Sequence, residues 1–218
     1  RRAQIFLYKI ALPKLDNLIF LNKDDPIDLI TRYKIKTKLV TIIGGIGVDL
    51  SEYPYRSTKI GKPIRFLFIG RLLAEKGVFD FTEAAKIIKQ EFPEVEFVLL
   101  GGLDRSNPGG LNEKELNYLI NSGLIIYPGH VSNTADWITS SNVFVLPSYR
   151  EGLPRSTQEA MAIGRAVITT EVPGCRDTVI DGVNGFLIPP WQPKVLAEKM
   201  RYFIKHPEKI QLMGDASH

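Results

Sequence analysis

A regular succession of short apolar runs from residue 64 onward limits the possible folds of this chain more than any other feature. Runs of this length, bounded by polar breakers, predict buried strands, and the segments between them are long enough for helices. Strands that alternate with crossover helices form parallel sheets with both faces covered. The sequence therefore predicts an α/β fold with a doubly wound parallel sheet. The six runs are residues 64–69, 95–100, 124–127, 143–146, 166–169 and 186–188.

Two of the intervening segments have apolar residues at helical spacing, which predicts amphipathic helices packed on the sheet. The first has an i, i+3, i+4, i+7, i+11 stripe, and the second repeats the pattern near the carboxyl end. The stripes consist of Phe81, Ala84, Ala85, Ile88 and Phe92, and of Leu196, Met200, Phe203 and Ile204.

The first 58 residues follow a different pattern. They predict the end of a helix over residues 1–14, short strands at 18–21 and 39–43, and a helix that starts within 22–26 and ends near Tyr33. Residues 44–49 break regular structure, and Pro54 and Gly61 give the following segment the composition of a linker. We therefore expect two units, residues 1–58 and residues 59–218.

Charge is distributed unevenly along the 218 residues, whose net charge is +4. Residues 1–59 contain 11 Lys and Arg against 6 Asp and Glu, whereas residues 60–218 contain 17 against 18. An anionic membrane surface or a polyanionic acceptor would explain the basic amino end, and a solvated basic face explains it equally well. Neither explanation needs a nucleic-acid partner.

The single cysteine, Cys175, excludes an internal disulfide and fits a reducing compartment. No apolar run approaches the ~20 residues that a membrane-spanning helix needs. The amino end has no signal-peptide cleavage pattern. We therefore expect a cytoplasmic location.

The stretch over residues 146–173 is the strongest candidate for a binding site. It leaves a buried strand at Pro147 and continues into a helix predicted over residues 157–162, with Glu151 and Glu159 along it. Open α/β sheets bind ligands in such loops, because free N–H groups and the helix dipole at a helix amino end favour anions. An anionic ligand is therefore expected between the two glutamates.

The loop after the first strand of this sheet contains two cations. Gly70 allows a turn, and Arg71 and Lys76 could together grip a diphosphate that no metal neutralises. The glycine spacing does not match the dinucleotide fingerprint or a P-loop. Taken alone, the two cations could equally be solvated side chains beside a turn.

Each glutamate has two interpretations. Residues 156–159 fit a capping box, in which Glu159 would fold back onto the helix start, but the same carboxylate could accept hydrogen bonds from ribose hydroxyls. Glu151 beside Gly152 suits the recognition of sugar hydroxyls. Paired carboxylates also occur in glycoside hydrolases, although hydrolysis gives no reason for the two cations.

Two other loops follow strands of the predicted sheet. Gly129 exposes backbone that could recognise a nucleobase edge, while the neighbouring His130 is more often structural than a general base. Gly174 would let the backbone approach a ligand closely, or it could form only a turn.

Taken as a set, these motifs resemble the nucleotide-sugar domain of the large family four of retaining glycosyltransferases, which have the GT-B fold. The resemblance extends from about residue 39 to the carboxyl end and is nearest to bacterial enzymes of capsule, O-antigen and lipid-linked oligosaccharide assembly. The motifs are residues 70–71, 75–77, 145–155, 159–162, 164, 173–177 and 181–187.

The resemblance implies a role for each candidate residue. It implies that Arg71 and Lys76 stabilise the departing diphosphate without a metal, and that no protein nucleophile is needed. It assigns Glu159 to the ribose hydroxyls and implies transfer with retention of anomeric configuration. The residues that would contact the donor are Gly70, Arg71, Lys76, Val131, Glu151, Gly152, Leu153 and Glu159.

The same resemblance implies that most of an acceptor-binding domain is missing and that residues 1–58 are its remnant. We then expect a fragment that binds a nucleotide sugar, with UDP favoured, and that transfers little sugar. The donor sugar would be a hexose or N-acetylhexosamine, and the acceptor a polysaccharide or lipid-linked glycan. The alternatives are a nucleotide-binding α/β module without chemistry and, disfavoured by the absent fingerprint, an NAD-dependent enzyme.

Overall fold

A six-stranded parallel sheet forms the centre of the protein in a computed structural model that describes residues 2–58, 61, 63–104 and 106–218. Its strands are β3 (Arg65–Ile69), β4 (Glu96–Leu100), β5 (Ile126–Gly129), β6 (Val143–Leu146), β7 (Ala166–Thr170) and β8 (Gly185–Ile188). The strand order is β5-β4-β3-β6-β7-β8, and every neighbouring pair is parallel. The predicted doubly wound sheet is confirmed.

Helices cover both faces of this sheet. All four residues of β6 and all five of β7 are buried although successive side chains point to opposite faces. The helices are α3 (Val78–Glu91), α4 (Glu113–Asn121), α5 (Thr134–Thr139), α6 (Arg155–Ala162), α7 (Pro193–Lys205) and α8 (Glu208–Ser217). Of these, α3 and α7 pack against each other, and α6 and α8 pack on β7.

The amino-terminal part has little core of its own. Its two short parallel strands are β1 (Leu18–Phe20) and β2 (Val40–Ile42), and α1 (Arg2–Ala11) has no buried residue. The short helix α2 (Asp24–Pro26) continues as a π-helical turn over Ile27–Thr31. The proposed division of the chain near residue 58 stays a prediction. Within the described part of the chain, no helix is both long enough and apolar enough to cross a membrane.

Two predicted elements begin two residues away from where the structure places them. The run at residues 124–127 predicted a strand, but β5 begins only at Ile126, because the Leu124 and Ile125 N–H groups bond back to the carbonyl of Leu119 in α4. Helix α6 begins at Arg155 and not at residue 157. Helix α6 is therefore longer than the apolar pattern predicted. The carboxyl end of α4 makes more hydrogen bonds than that pattern indicated.

The strand order creates a switch point beside β3. The chain proceeds outward from β3 to β4 and β5, then returns to place β6 on the opposite side of β3. The loops that leave β3 and β6 therefore diverge and open a crevice at the carboxyl edge of the sheet. In open α/β sheets this crevice is where ligands bind.

Candidate nucleotide-sugar site

The loops after β3 and β6 are joined by polar contacts across the switch point. The Tyr149 N–H donates to the Glu75 carbonyl at 2.8 Å, and the Ser148 hydroxyl donates to the same oxygen at 2.9 Å. These two bonds fix the second loop against the turn that contains Lys76. The crevice is therefore lined by two loops that hold each other in place.

Gly77 makes this close approach possible. Its φ of 74° lies in the left-handed region, and a Cβ built on it would stand 2.0 Å from the Pro147 carbonyl oxygen. Any side chain would both strain the turn and push the two loops apart. The glycine therefore allows the turn that contains Lys76 to lie against the loop after β6.

Lys76 and Glu151 form an ion pair in the crevice. The Lys76 Nζ atom lies 2.6 Å from the Glu151 Oε1 atom, and the two side chains are 21% and 11% exposed. Arg71, from the same loop, is 61% exposed and lies near two acids, 3.6 Å from Glu75 and 3.7 Å from Asp104. Hydrogen bonding from Ser106, with a contribution from Arg71, lowers the pKa of Asp104.

Glu159 is held inside α6. Its carboxylate accepts a hydrogen bond from the Arg155 Nε atom at 2.9 Å, and the Glu159 side chain is 9% exposed. The capping-box alternative is wrong, because the helix begins at Arg155 and the residue before it, Pro154, makes no side-chain cap. The position of α6 is fixed at its start, where the Ser156 hydroxyl donates to the Ile69 carbonyl at 3.2 Å.

The loop after β5 provides the opposite end of the carboxyl edge. Val131 is half-buried against the core, and His130 is exposed. Gly129 has a φ of 87° and pairs with Leu100 of β4, and the Tyr127 hydroxyl donates to the Gly101 carbonyl at 2.8 Å. The backbone at Gly129 is thus in the left-handed region that favours glycine, and the recognition of a base there stays a prediction.

Gly174 packs beneath the turn at Glu151 and Gly152. A Cβ at Gly174 would stand 2.4 Å from the Glu151 carbonyl oxygen and 2.5 Å from that of Gly152. Of the two possibilities inferred for Gly174, the turn is present, and a close approach to a ligand stays a prediction. The neighbouring Cys175 is fully buried, and burial raises the pKa of its thiol to about 11.

Only two of the four charged candidate residues are in direct contact with each other. Lys76 and Glu151 touch, while Arg71 and Glu159 each pair with a different neighbour. Glu151 and Glu159 belong to separate ion pairs. The two loops and the helix α6 that contain these four residues meet at the carboxyl edge of β3 and β6.

A family model described as "Glycosyl transferases group 1" matches residues 51–217, which include every candidate residue of this site. The chain belongs to the group 1 glycosyl transferases. The resemblance inferred from the motifs is confirmed at this level.

Bacterial enzymes of glycan assembly are among the relatives of this group 1 chain. An N,N'-diacetylbacillosaminyl-diphospho-undecaprenol alpha-1,3-N-acetylgalactosaminyltransferase of Campylobacter jejuni is 30% identical over an alignment that covers 94% of this chain and 55% of that enzyme. The capsular polysaccharide biosynthesis glycosyltransferase CapM of Staphylococcus aureus is 26% identical, with 94% and 57% covered. The chain spans about half the length of these relatives.

Solved glycosyltransferase structures share the fold. Anabaena HepE with UDP and glucose superposes with a TM-score of 0.84 at 18% identity, covering 99% of this chain and 61% of HepE. The pneumococcal O-GlcNAc transferase GtfA with UDP and GlcNAc gives a TM-score of 0.80 at 21% identity, covering 100% and 43%. These neighbours establish the expected half of a GT-B fold.

One polar cluster beside this group 1 site was missed from the sequence. Asp80 in the first turn of α3 is buried, and burial raises its pKa although Tyr149 and the Trp191 backbone oppose the rise. Burial, with Asp80 beside it, raises the pKa of Tyr149 to about 12. The Tyr149 and Trp191 rings lie 4.8 Å apart. No spacing in the sequence links these three residues.

The second feature missed is Asn22, whose side chain reaches the Glu151 turn. The sequence indicated a helix start there but not a partner 130 positions away. No group of three or more His, Cys, Asp or Glu side chains is arranged as a metal site in the part of the chain that the structure describes.

Proposed function

We propose that this chain is the donor-binding part of a glycosyltransferase that moves a hexose or N-acetylhexosamine from a UDP-sugar to a polysaccharide or lipid-linked glycan. The observation that supports it most is the Lys76–Glu151 ion pair, 2.6 Å long and largely buried at the switch point. A cation in that position can meet a diphosphate where an open α/β sheet binds its ligand. The carboxylate beside it can accept hydrogen bonds from the donor sugar.

The proposed chemistry depends on charge stabilisation of the leaving group. Negative charge develops on the diphosphate as the glycosidic bond breaks, and cations fixed beforehand stabilise it without reorganisation. Lys76 acts at short range, and Arg71 can leave its weak ion pairs to add two parallel hydrogen bonds. We propose that these cations act in place of a metal, so a chelator would leave donor binding unchanged.

The nucleoside would lie along the carboxyl edge toward β5. Glu159 would accept hydrogen bonds from the ribose hydroxyls, and the backbone near Val131 would contact the base. UDP is favoured as the nucleotide because the solved structures of HepE and GtfA contain it. The names of the Campylobacter and Staphylococcus relatives support a lipid-linked or capsular glycan as acceptor.

We propose transfer with retention of anomeric configuration and without a protein nucleophile. Because relatives are about twice as long, we expect this chain alone to bind the donor and to transfer little or no sugar. A product anomer opposite to that of the donor, found by NMR with an enzyme that contains this chain, would exclude retention.

Calorimetry on the chain tests the proposed donor site directly. We expect UDP to bind, GDP to bind more weakly and NAD not to bind. The substitutions Lys76→Ala and Glu159→Ala should both lower the affinity for UDP. Unchanged affinity in both variants would refute the site and leave the alternative of a nucleotide-binding module without chemistry.

We also propose a cytoplasmic protein with peripheral contact to an anionic membrane. The proposal rests on the 11 Lys and Arg against 6 Asp and Glu in residues 1–59. Sedimentation with anionic vesicles that salt abolishes, and none with neutral vesicles, would support it. Equal sedimentation with both would refute it.

A further inference from the structure

Asn22 connects the amino-terminal segment to the turn that contains Glu151. Its side chain is buried, with the residue 2% exposed, although it lies outside the six-stranded sheet. The Nδ2 atom donates to the Gly152 carbonyl at 2.7 Å, to the Asp25 carboxylate at 3.0 Å and to the Glu151 carbonyl at 3.4 Å. The Oδ1 atom accepts from the N–H groups of Asp24 and Asp25, at 3.0 and 2.8 Å.

The side-chain amide of Asn22 therefore makes hydrogen bonds through both its oxygen and its nitrogen. One side satisfies free N–H groups at the start of α2, as capping residues do. The other side donates to two successive carbonyls of a turn that is distant in sequence. A cap alone needs only the oxygen, and the contact with Asp25 is local, so the two nitrogen contacts to the distant turn call for a separate explanation.

These contacts determine which way the peptide groups of the turn face. In a planar trans peptide the C=O and the following N–H point in opposite directions. Carbonyls of Glu151 and Gly152 that face Asn22 therefore direct the N–H groups of Gly152 and Leu153 to the other side. Gly174 packs against the same two carbonyl oxygens from below, which keeps both peptides in this orientation.

The two N–H groups so directed are available to a ligand. Within the described residues, neither the Gly152 nor the Leu153 N–H donates to an acceptor of the protein. Two neighbouring backbone N–H groups that face one side form a small anion-binding concavity. Lys76, paired with Glu151, brings a positive charge to the same turn.

We propose that Asn22 is a positioning residue of the donor site: by holding the two carbonyls, it presents the Gly152 and Leu153 N–H groups to the terminal phosphate of the donor. This inference rests on the proposed function and adds a residue outside the motifs. It also gives the amino-terminal segment a part in phosphate recognition that its sequence did not indicate.

The substitution Asn22→Ser tests the proposal, because serine caps a helix nearly as well as asparagine but cannot donate to two carbonyls. We expect its affinity for UDP to fall about tenfold, the range of a lost hydrogen bond to a charged group. The affinity for UMP, which has no terminal β-phosphate, should stay within twofold. A role in stability alone would lower both affinities in parallel.

Asn112 provides the matched control. It caps α4 in a complete capping box, and the same substitution, Asn112→Ser, should leave UDP and UMP affinities within twofold. If Asn22→Ser does not fold, Asn22→Thr retains the cap oxygen and replaces it. An unchanged UDP affinity, or equal losses for UDP and UMP, would overturn the proposal.

A second measurement separates this inference from the proposed function. If wild type binds no UDP, the proposed function fails, but the amide resonances of Gly152 and Leu153 still report on the turn. We expect Asn22→Ser to shift both resonances and to speed alkylation of buried Cys175, the single cysteine, which lies beside Gly174. Resonances and alkylation that match those of Asn112→Ser would refute the positioning role.

Discussion

Lys76 and Arg71 come from one loop and face different surroundings. Lys76 is 21% exposed and lies 2.6 Å from a single carboxylate that is itself nearly buried. Arg71 is 61% exposed and is shared between two acids at more than 3.5 Å. Coulomb interactions are much stronger where water is excluded. Two cations with the same predicted role are thus expected to contribute unequally.

The difference in exposure between Lys76 and Arg71 is related to the turn at Gly77. The loop contact with Pro147 brings Lys76 into the crevice, whereas the contacts of the Arg71 side chain with described residues are two longer ion pairs. We infer that Lys76 is positioned before the donor arrives and that Arg71 moves to it. This predicts effects of different size and of different salt dependence.

Lys76→Ala should have the largest effect. We expect UDP affinity to fall roughly 10- to 100-fold, as for a lost charge-assisted hydrogen bond in a partly buried site. Calorimetry measures this loss. The matched control is Lys86→Ala on α3, whose exposed lysine pairs with Glu83 and should leave affinity unchanged. A loss no greater than that of Arg71→Ala would break the comparison.

Glu159→Ala should have the next largest effect. The carboxylate is 9% exposed, and we expect UDP affinity to fall about tenfold, as for hydrogen bonds to a charged group. The preference for UDP over its 2′-deoxy form should largely disappear in parallel titrations. Glu96→Ala, which breaks the ion pair with Arg65 on β3, is the control. A preserved 2′-hydroxyl preference would remove Glu159 from the ribose site.

Arg71→Ala should lower the affinity for UDP by roughly two- to fivefold, the range of an exposed ion pair. Because exposed charges are screened, the difference from wild type should vanish as salt is raised, whereas that of Lys76→Ala should persist. Titrations at low and high salt measure both. Arg201→Ala, which removes an arginine paired with Glu91, should have no effect at any salt concentration.

Asp80 extends the comparison to a buried acid, with a smaller effect that depends on pH. Burial raises its folded pKa, so the folded state holds a proton that the unfolded state releases above about 3.9. Stability therefore decreases as pH rises from that value through the folded pKa. Denaturation of wild type and Asp80→Asn should give free energies of unfolding that diverge over this window. Exposed Asp136→Asn should follow wild type, and curves that stay parallel for Asp80→Asn would contradict the assignment.

The sequence by itself determined the α/β architecture and the loops that contain the candidate site. Apolar runs that alternate with amphipathic helices predict a parallel sheet. In a parallel sheet the carboxyl ends of all strands lie at one edge. Glu151, Gly152 and Lys76 could therefore be assigned to one crevice. Glu159 kept two interpretations, because its local pattern fits a capping box equally well.

Only the tertiary structure decided which charges pair and which groups hold the turn. Lys76 contacts Glu151 across 75 positions, and Asn22 contacts Gly152 across 130. Periodicity and capping patterns act over a few residues, so they contain no information about such distant partners. The first contact exists because the strand order places β3 beside β6, and the second because the amino-terminal segment packs against the loop after β6. Both arrangements depend on the packing of the whole chain.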